Sequence, residues 1–317
     1  MTDICFTVCF DQAYIEPALL TALELLQQQA APVYLIYLEN TGDSPEVRQM
    51  LQAFASRHGR EQLRSLAIQN TVFDKFEKYH FSNAILYKTL VPSVVQHDYV
   101  ISIDAGYLLG SRFAEWMDEV KDCLEQHYPR EFVLASFCGN SARDLPAPLH
   151  SQAHHARYPT GGVLLFSRAQ YLQGNWYERI VAGYLQHKND LLWAEQDLLC
   201  LLLEGAQLQD LPLAKSVLLE QLHPEGLLAG ARSAACSQDF SLYKISGTLK
   251  PWKYWVLDPR KYFYLQRRQA LAPLALENYP LIQELRHAVN HVPLQRNFLE
   301  VQERLGVSQL AAGGASG

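Results

Sequence analysis

The chain has 317 residues, a formal net charge of −6 and 49% hydrophobic residues. That is enough to bury the core of one large α/β domain, alone or with a helical appendage. The mild acidity argues against nucleic acid, which asks for a strongly basic face. No run reaches the ~18 apolar residues of a membrane span.

The N-terminus opens directly on a strand-like stretch, Ile4 to Cys9, without the basic and apolar regions of a signal peptide. A cytoplasmic location is therefore expected. Cys5, Cys9, Cys123, Cys138, Cys200 and Cys236 form no C-x-x-C pair. They read as small buried hydrophobes of a reducing compartment rather than a zinc site.

Strand-like and helix-like segments alternate through the first half, the pattern of a parallel α/β sheet. After residues 4–9, Pro17 sits where a helix can begin, and Ala18 to Gln29 runs without glycine or proline. Residues 33–37 form a second buried strand. Ser44, Pro45 and Glu46 read as a helix start and Gly59 as its stop. Residues 63–68 form a third strand, and Asn83 to Leu90 a helix.

Tyr99 to Ile103 is a fourth strand, ending on Asp104. Ligands of open α/β sheets collect at such carboxyl ends. Phe132 to Phe137 is another strand. Residues 139–160 are turn-rich and read as one long loop, a length that points to function or disorder. Val163 to Phe166 is again a strand, followed by a helix to about His187 and another from Glu195 to Glu204. The last sixty or so residues look helical, and the tail 311–317 is low in complexity.

Several segments then fall into one order. Asp11 and Tyr14 follow the first strand. Tyr87-Lys88 precedes Pro92. Ile101 to Gly106 ends a buried strand and Thr160-Gly161-Gly162 opens another. Glu195-Gln196-Asp197 and Gly247-Thr248-Leu249-Lys250-Pro251-Trp252 come later. Together they resemble glycosyltransferase family eight, over roughly residues 3–257. The resemblance implies a GT-A type, Rossmann-like mixed α/β sheet flanked by helices, over residues 1–257, with a helical C-terminal extension over 258–317. It implies a retaining transferase that moves a hexose from a UDP-sugar to a carbohydrate or glycolipid acceptor.

By position in the family, Asp11 and Tyr14 would face the uracil. Lys88 stands for an arginine near the phosphates, and Thr160 for an asparagine near the sugar. Glu195 replaces an aspartate that holds sugar hydroxyls. Gln196 matches a glutamine on the reactive face. Gly247 and Lys250 match the pyrophosphate turn.

The chain departs from the family at the metal, usually manganese, which Asp-x-Asp and a histidine hold. Asp104 is present, but the second aspartate is Gly106 and the histidine position is Lys244. One carboxylate makes a poor site for a hard divalent ion. Lys244 and Lys250 are therefore expected to substitute for it, with no cofactor required, Asp104 pairing with Lys244 or accepting a hydroxyl. Manganese or magnesium would return only if other ligands compensate. The competing reading is a non-catalytic nucleotide-sugar or glycan-binding relative.

Two other clusters stand out. His150, His154 and His155 share the long loop, where histidines are commonly solvated; they offer a metal site or an acceptor contact. Residues 250–268 interleave Trp252, Tyr254, Trp255, Tyr262, Phe263 and Tyr264 with basic residues. That mix suits either an anionic membrane interface or a helix packing its aromatics onto the domain.

Overall fold

The computed structural model describes residues 2–28, 31–39, 45–58, 62–69, 71–73, 83–212, 217–220, 240–245, 264, 267–279 and 283. Gly247, Lys250 and the rest of the 246–263 segment lie outside the described residues, as do Ser44, Gly59 and the tail.

Among the described residues the largest sheet has seven strands. They are β1 (Ile4–Phe10), β2 (Val33–Glu39), β3 (Leu63–Gln69), β4 (Tyr99–Ile103), β6 (Leu134–Asn140), β7 (Arg157–Ser167) and β8 (Leu208–Asp210), in the order β3-β2-β1-β4-β7-β6-β8. A smaller sheet has the order β5-β10-β9, from β5 (Tyr107–Leu109), β9 (Val217–Glu220) and β10 (Leu242–Ile245).

The alternation in the first half suggested a parallel sheet, and β1, β2, β3 and β4 do pair in parallel. In contrast, β7 runs antiparallel to both β4 and β6. The mixed sheet implied by the family resemblance is what forms. The reversal carries the start of β7 to the carboxyl end of β4, and Asp104 N donates to Gly162 O at 3.0 Å.

Side-chain alternation divides the core into two layers. On β1, Phe6, Val8 and Phe10 face one layer with α1 (Ile15–Gln27), α2 (Pro45–His58) and α4 (Phe113–Asp122). Cys5 and Cys9 face the other, with α3 (Ala84–Tyr87), α6 (Arg168–Gln173), α7 (Trp176–His187) and α8 (Glu195–Leu202). Both cysteines are buried and unpaired. Burial pushes the Cys5 thiol up to about 12, so it stays protonated and inert.

The helix expected to begin at Pro17 starts earlier, at Ile15. Asp11 caps a preceding 3-10 turn, its Oδ1 accepting from Ala13 N at 3.0 Å, and the chain enters α1 from that turn. The helix expected to run to His187 is two helices. Asn175, in the left-handed region at φ 49°, breaks it beside Gly174. The long loop expected over 139–160 is largely structured. It contains a short helix, α5 (Ser141–Asp144), a 3-10 turn (Ala147–Gln152) and the first residues of β7.

The C-terminal stretch packs on α1. Arg267 Nε meets Glu24 Oε1 at 2.7 Å, Arg268 meets Glu16 Oε1 at 2.8 Å, and Tyr264, Leu271 and Leu276 are buried in the layer that α1 forms. Of the stretch read as a membrane candidate, Tyr264, Arg267 and Arg268 are thus spent on packing and pairing. Among the described residues no helix is long and apolar enough to cross a membrane.

Candidate functional site

The site is built where β4 ends. Lys88, just past α3, reaches over the sheet with a fully buried side chain. Its Nζ donates to Asp104 Oδ1 at 2.6 Å and to Gly161 O at 2.5 Å, and pairs with Glu195 Oε1 at 2.9 Å. Burial disfavours charge on Lys88, but Asp104 and Glu195 outweigh it and hold its ammonium above the usual lysine value. Burial also raises the Glu195 carboxyl, with Lys88 pulling it back down. Glu195 Oε2 is buried with no hydrogen-bond partner.

Glu195 is presented by strained backbone. Ala194 has φ 47°, which L-residues avoid. Asp197 anchors this turn, its Oδ2 accepting from Leu192 N at 2.6 Å and Trp193 N at 2.7 Å, while its Oδ1 accepts from Tyr158 OH at 2.6 Å. Asp197 is therefore committed to holding this turn. Gly161 makes the approach of Glu195 feasible, because a β-carbon there would overlap Glu195 Oε1 and come within 3.2 Å of Gln196 Cγ.

On the outer side, Lys244 Nζ lies 3.4 Å from Asp104 Oδ2. Tyr107 sits directly across from Lys244 in the β5–β10 register, its ring centroid 5.7 Å from Nζ. The sequence reading missed Tyr107, along with β5 and α4. The signal for α4 was present: Phe113, Trp116, Met117 and Val120 repeat at helical spacing and are all buried. Nothing local marked Tyr107, whose role depends on a strand 137 residues further along the chain.

The other expected site residues fall around this cluster. The charges of Asp11 and Asp104 both bear on Tyr14, whose phenol burial holds well above its ordinary value. Thr160 precedes Gly161 on β7, its carbonyl accepting from Ser136 Oγ at 2.6 Å. Gln196 is half-buried beside Gly161. The three histidines do not converge. His150 Nε2 donates to Leu145 O at 2.6 Å, His154 is exposed, and His155 is half-buried, with burial lowering its pKa.

The residues present do not fit a divalent ion at Asp104. Both carboxylate oxygens already face ammonium groups, and Gly106 brings no side-chain ligand. A divalent ion ~4 Å from the Lys244 ammonium would meet a repulsion of roughly 8 kcal/mol at an effective dielectric near 20. Among the described residues no group of three His, Cys, Asp or Glu could hold a metal.

No family model and no curated protein sequence matches the chain. Solved structures do. The galactosyltransferase LgtC in complex with donor and acceptor sugar analogs is similar at TM-score 0.58 and 16% identity, covering 92% of this chain and 98% of that one. The chain has the GT-A glycosyltransferase fold. An active-site mutant of LgtC is similar at TM-score 0.59 and 15% identity, covering 92% and 99%. The bifunctional glycosyltransferase WbbM is similar at TM-score 0.55 and 15% identity, covering 90% of this chain and 51% of that one. Within the GT-A fold the Lys88–Asp104–Glu195 cluster stands at the carboxyl edge of a central strand, where open α/β sheets take their ligands.

Proposed function

We propose that this chain is a retaining glycosyltransferase that moves a hexose from a UDP-sugar to a carbohydrate or glycolipid acceptor in the cytoplasm. The observation that carries the reading is the ionic cluster of Lys88, Asp104 and Glu195 at that edge of a GT-A fold. The donor and acceptor sugar analogs bound by LgtC favour a two-substrate sugar site of the same kind.

In this reading Asp11 and Tyr14 face the uracil. Glu195 Oε2, buried and unpartnered, accepts a hydroxyl of the donor sugar. Lys88 holds Glu195 and Asp104 in place. Thr160 and Gln196 flank the sugar, and Gly247 and Lys250, which lie outside the described residues, supply a turn for the pyrophosphate.

The acceptor hydroxyl oxygen bonds to the anomeric carbon on the face that the nucleotide leaves. The bond from that carbon to the phosphate oxygen breaks, and the departing phosphate takes the proton. A double displacement would instead need a protein nucleophile, and the Gln196 amide is a weak one. A lipid-linked acceptor rests on residues 250–263 and is tested by vesicle flotation, in which unbound protein removes it.

The test is slow donor hydrolysis, because transferases leak sugar to water. UDP-galactose and UDP-glucose are incubated with the protein, and the first anomer released is read by proton NMR. An α-anomer supports the retaining reading and a β-anomer overturns it. Donor binding with no release in the presence of an acceptor panel makes the chain a non-catalytic binding relative.

A further inference from the structure

We infer that Lys244 takes the place of a divalent ion in this site: its ammonium, set over the Tyr107 ring and tethered to Asp104, binds the diphosphate of a nucleotide-sugar donor without metal. This rests on the donor reading above and adds how the diphosphate is held.

The two lysines at Asp104 differ in kind. The Lys88 side chain is 3% exposed and committed to Asp104, Gly161 O and Glu195. The Lys244 and Asp104 side chains are 27% and 28% exposed, so this pair forms the open edge of the cluster. A ligand at that edge meets Asp104 and Lys244 together. Lysine is a compact cation with three donors, suited to phosphate oxygens. A departing diphosphate gathers negative charge, and a fixed cation stabilises it without rearranging solvent.

Three features hold the ammonium where that charge develops. The β5–β10 pairing puts Tyr107 and Lys244 side by side, and an aromatic face within about 6 Å attracts a cation. Gly162 leaves the room, since a β-carbon there would come within 2.7 Å of Lys244 Nζ and overlap the Tyr107 hydroxyl. The turn after Asp104 passes through Gly106 at φ 94°, whose N–H donates to Thr21 Oγ1 at 3.0 Å. Glycine takes that backbone angle freely, and its lack of a side chain leaves Lys244 as the charged group at Asp104 Oδ2. The Tyr107 hydroxyl is itself buried with no hydrogen-bond partner. Tyr107 acts here as a positioning residue, with a hydroxyl that a diphosphate oxygen can satisfy.

The experiment is calorimetric titration of UDP and of uridine, in EDTA and in manganese, on the wild type, Lys244→Met and Lys244→Arg. Wild type is expected to bind UDP in EDTA, with little change on adding manganese. Lys244→Met is expected to weaken UDP at least roughly tenfold while leaving uridine unchanged, and Lys244→Arg to keep most of the UDP affinity. A merely structural lysine would change UDP and uridine together, which overturns the inference. Wild-type UDP binding that requires manganese also overturns it, leaving the donor reading intact and needing no variant to fold. Absence of wild-type UDP binding in both buffers overturns the donor reading itself.

Discussion

Gly161 and Glu195 are packed so closely that the glycine has no room for a side chain: a β-carbon on Gly161 would overlap the carboxylate oxygen that pairs with Lys88. The start of β7 and the start of α8 are therefore fitted around a buried ion pair. Gly161→Ala must push Glu195 off Lys88 or move β7. Overpacking of this kind costs about 1–3 kcal/mol. Urea denaturation should show that loss, and UDP-hexose affinity should fall with it.

Lys88 stands between two carboxylates, and its removal leaves the buried Glu195 carboxylate unopposed, while Asp104 keeps Lys244. Lys88→Met is expected to destabilise the fold by about 3–5 kcal/mol. Adding Glu195→Gln to Lys88→Met removes the stranded charge and should restore part of the loss. A double-mutant cycle in urea checks this. A double variant whose loss equals the sum of the losses of Lys88→Met and Glu195→Gln would show that Lys88 and Glu195 are not coupled.

Gly106 turns the chain after Asp104 in the left-handed region. Gly106→Ala should lower stability by roughly 1–2 kcal/mol, read as a shift in the urea midpoint. Gly106→Asp should cost less than Gly106→Ala, since aspartate is one of the few L-residues that visit that region.

Arg267 is the partner of a buried acid. Glu24 Oε1 meets Arg267 Nε at 2.7 Å and its Oε2 accepts from Leu109 N at 2.5 Å, and Arg267 also donates to Leu109 O. Burial raises the Glu24 carboxyl above its ordinary value, with Arg267 opposing the rise. A group whose folded pKa is raised contributes stability below its unfolded pKa and loses it as pH rises through the folded one. Arg267→Ala removes the opposing charge and raises Glu24 further. The variant should be destabilised by about 3 kcal/mol near neutral pH. Its deficit should shrink as pH is lowered and Glu24 takes up a proton. Thermal melts of both proteins between mildly acidic and neutral pH test the sign.

Most strands and helices of the first half are legible in sequence because their signals are local: buried β-branched runs, a proline at a helix start, an apolar face at helical spacing. Asp104 was legible for the same reason, as the acid that ends a buried strand. The ordered motifs also pointed to a GT-A fold at only 15% identity to similar solved structures. What eluded a local reading involves residues that gain their meaning from a distant partner. The long loop at 139–160 looked unstructured because its turn residues dominate by eye. Its short helix and the start of β7 are held by pairings such as Asn140↔Arg157 and Gly139↔Tyr158.

The sequence by itself determined which residue types were present and which were missing: an aspartate at the end of β4, a glycine two residues later, a lysine where a histidine was expected. Only the tertiary structure decided what they do to one another. Hydrophobic patterning sets each side chain in or out over a few residues. The distances among Lys88, Asp104, Glu195 and Lys244 depend on how β4, β7, α8 and β10 are brought together. A charge interaction falls off with separation in space, whatever the separation along the chain.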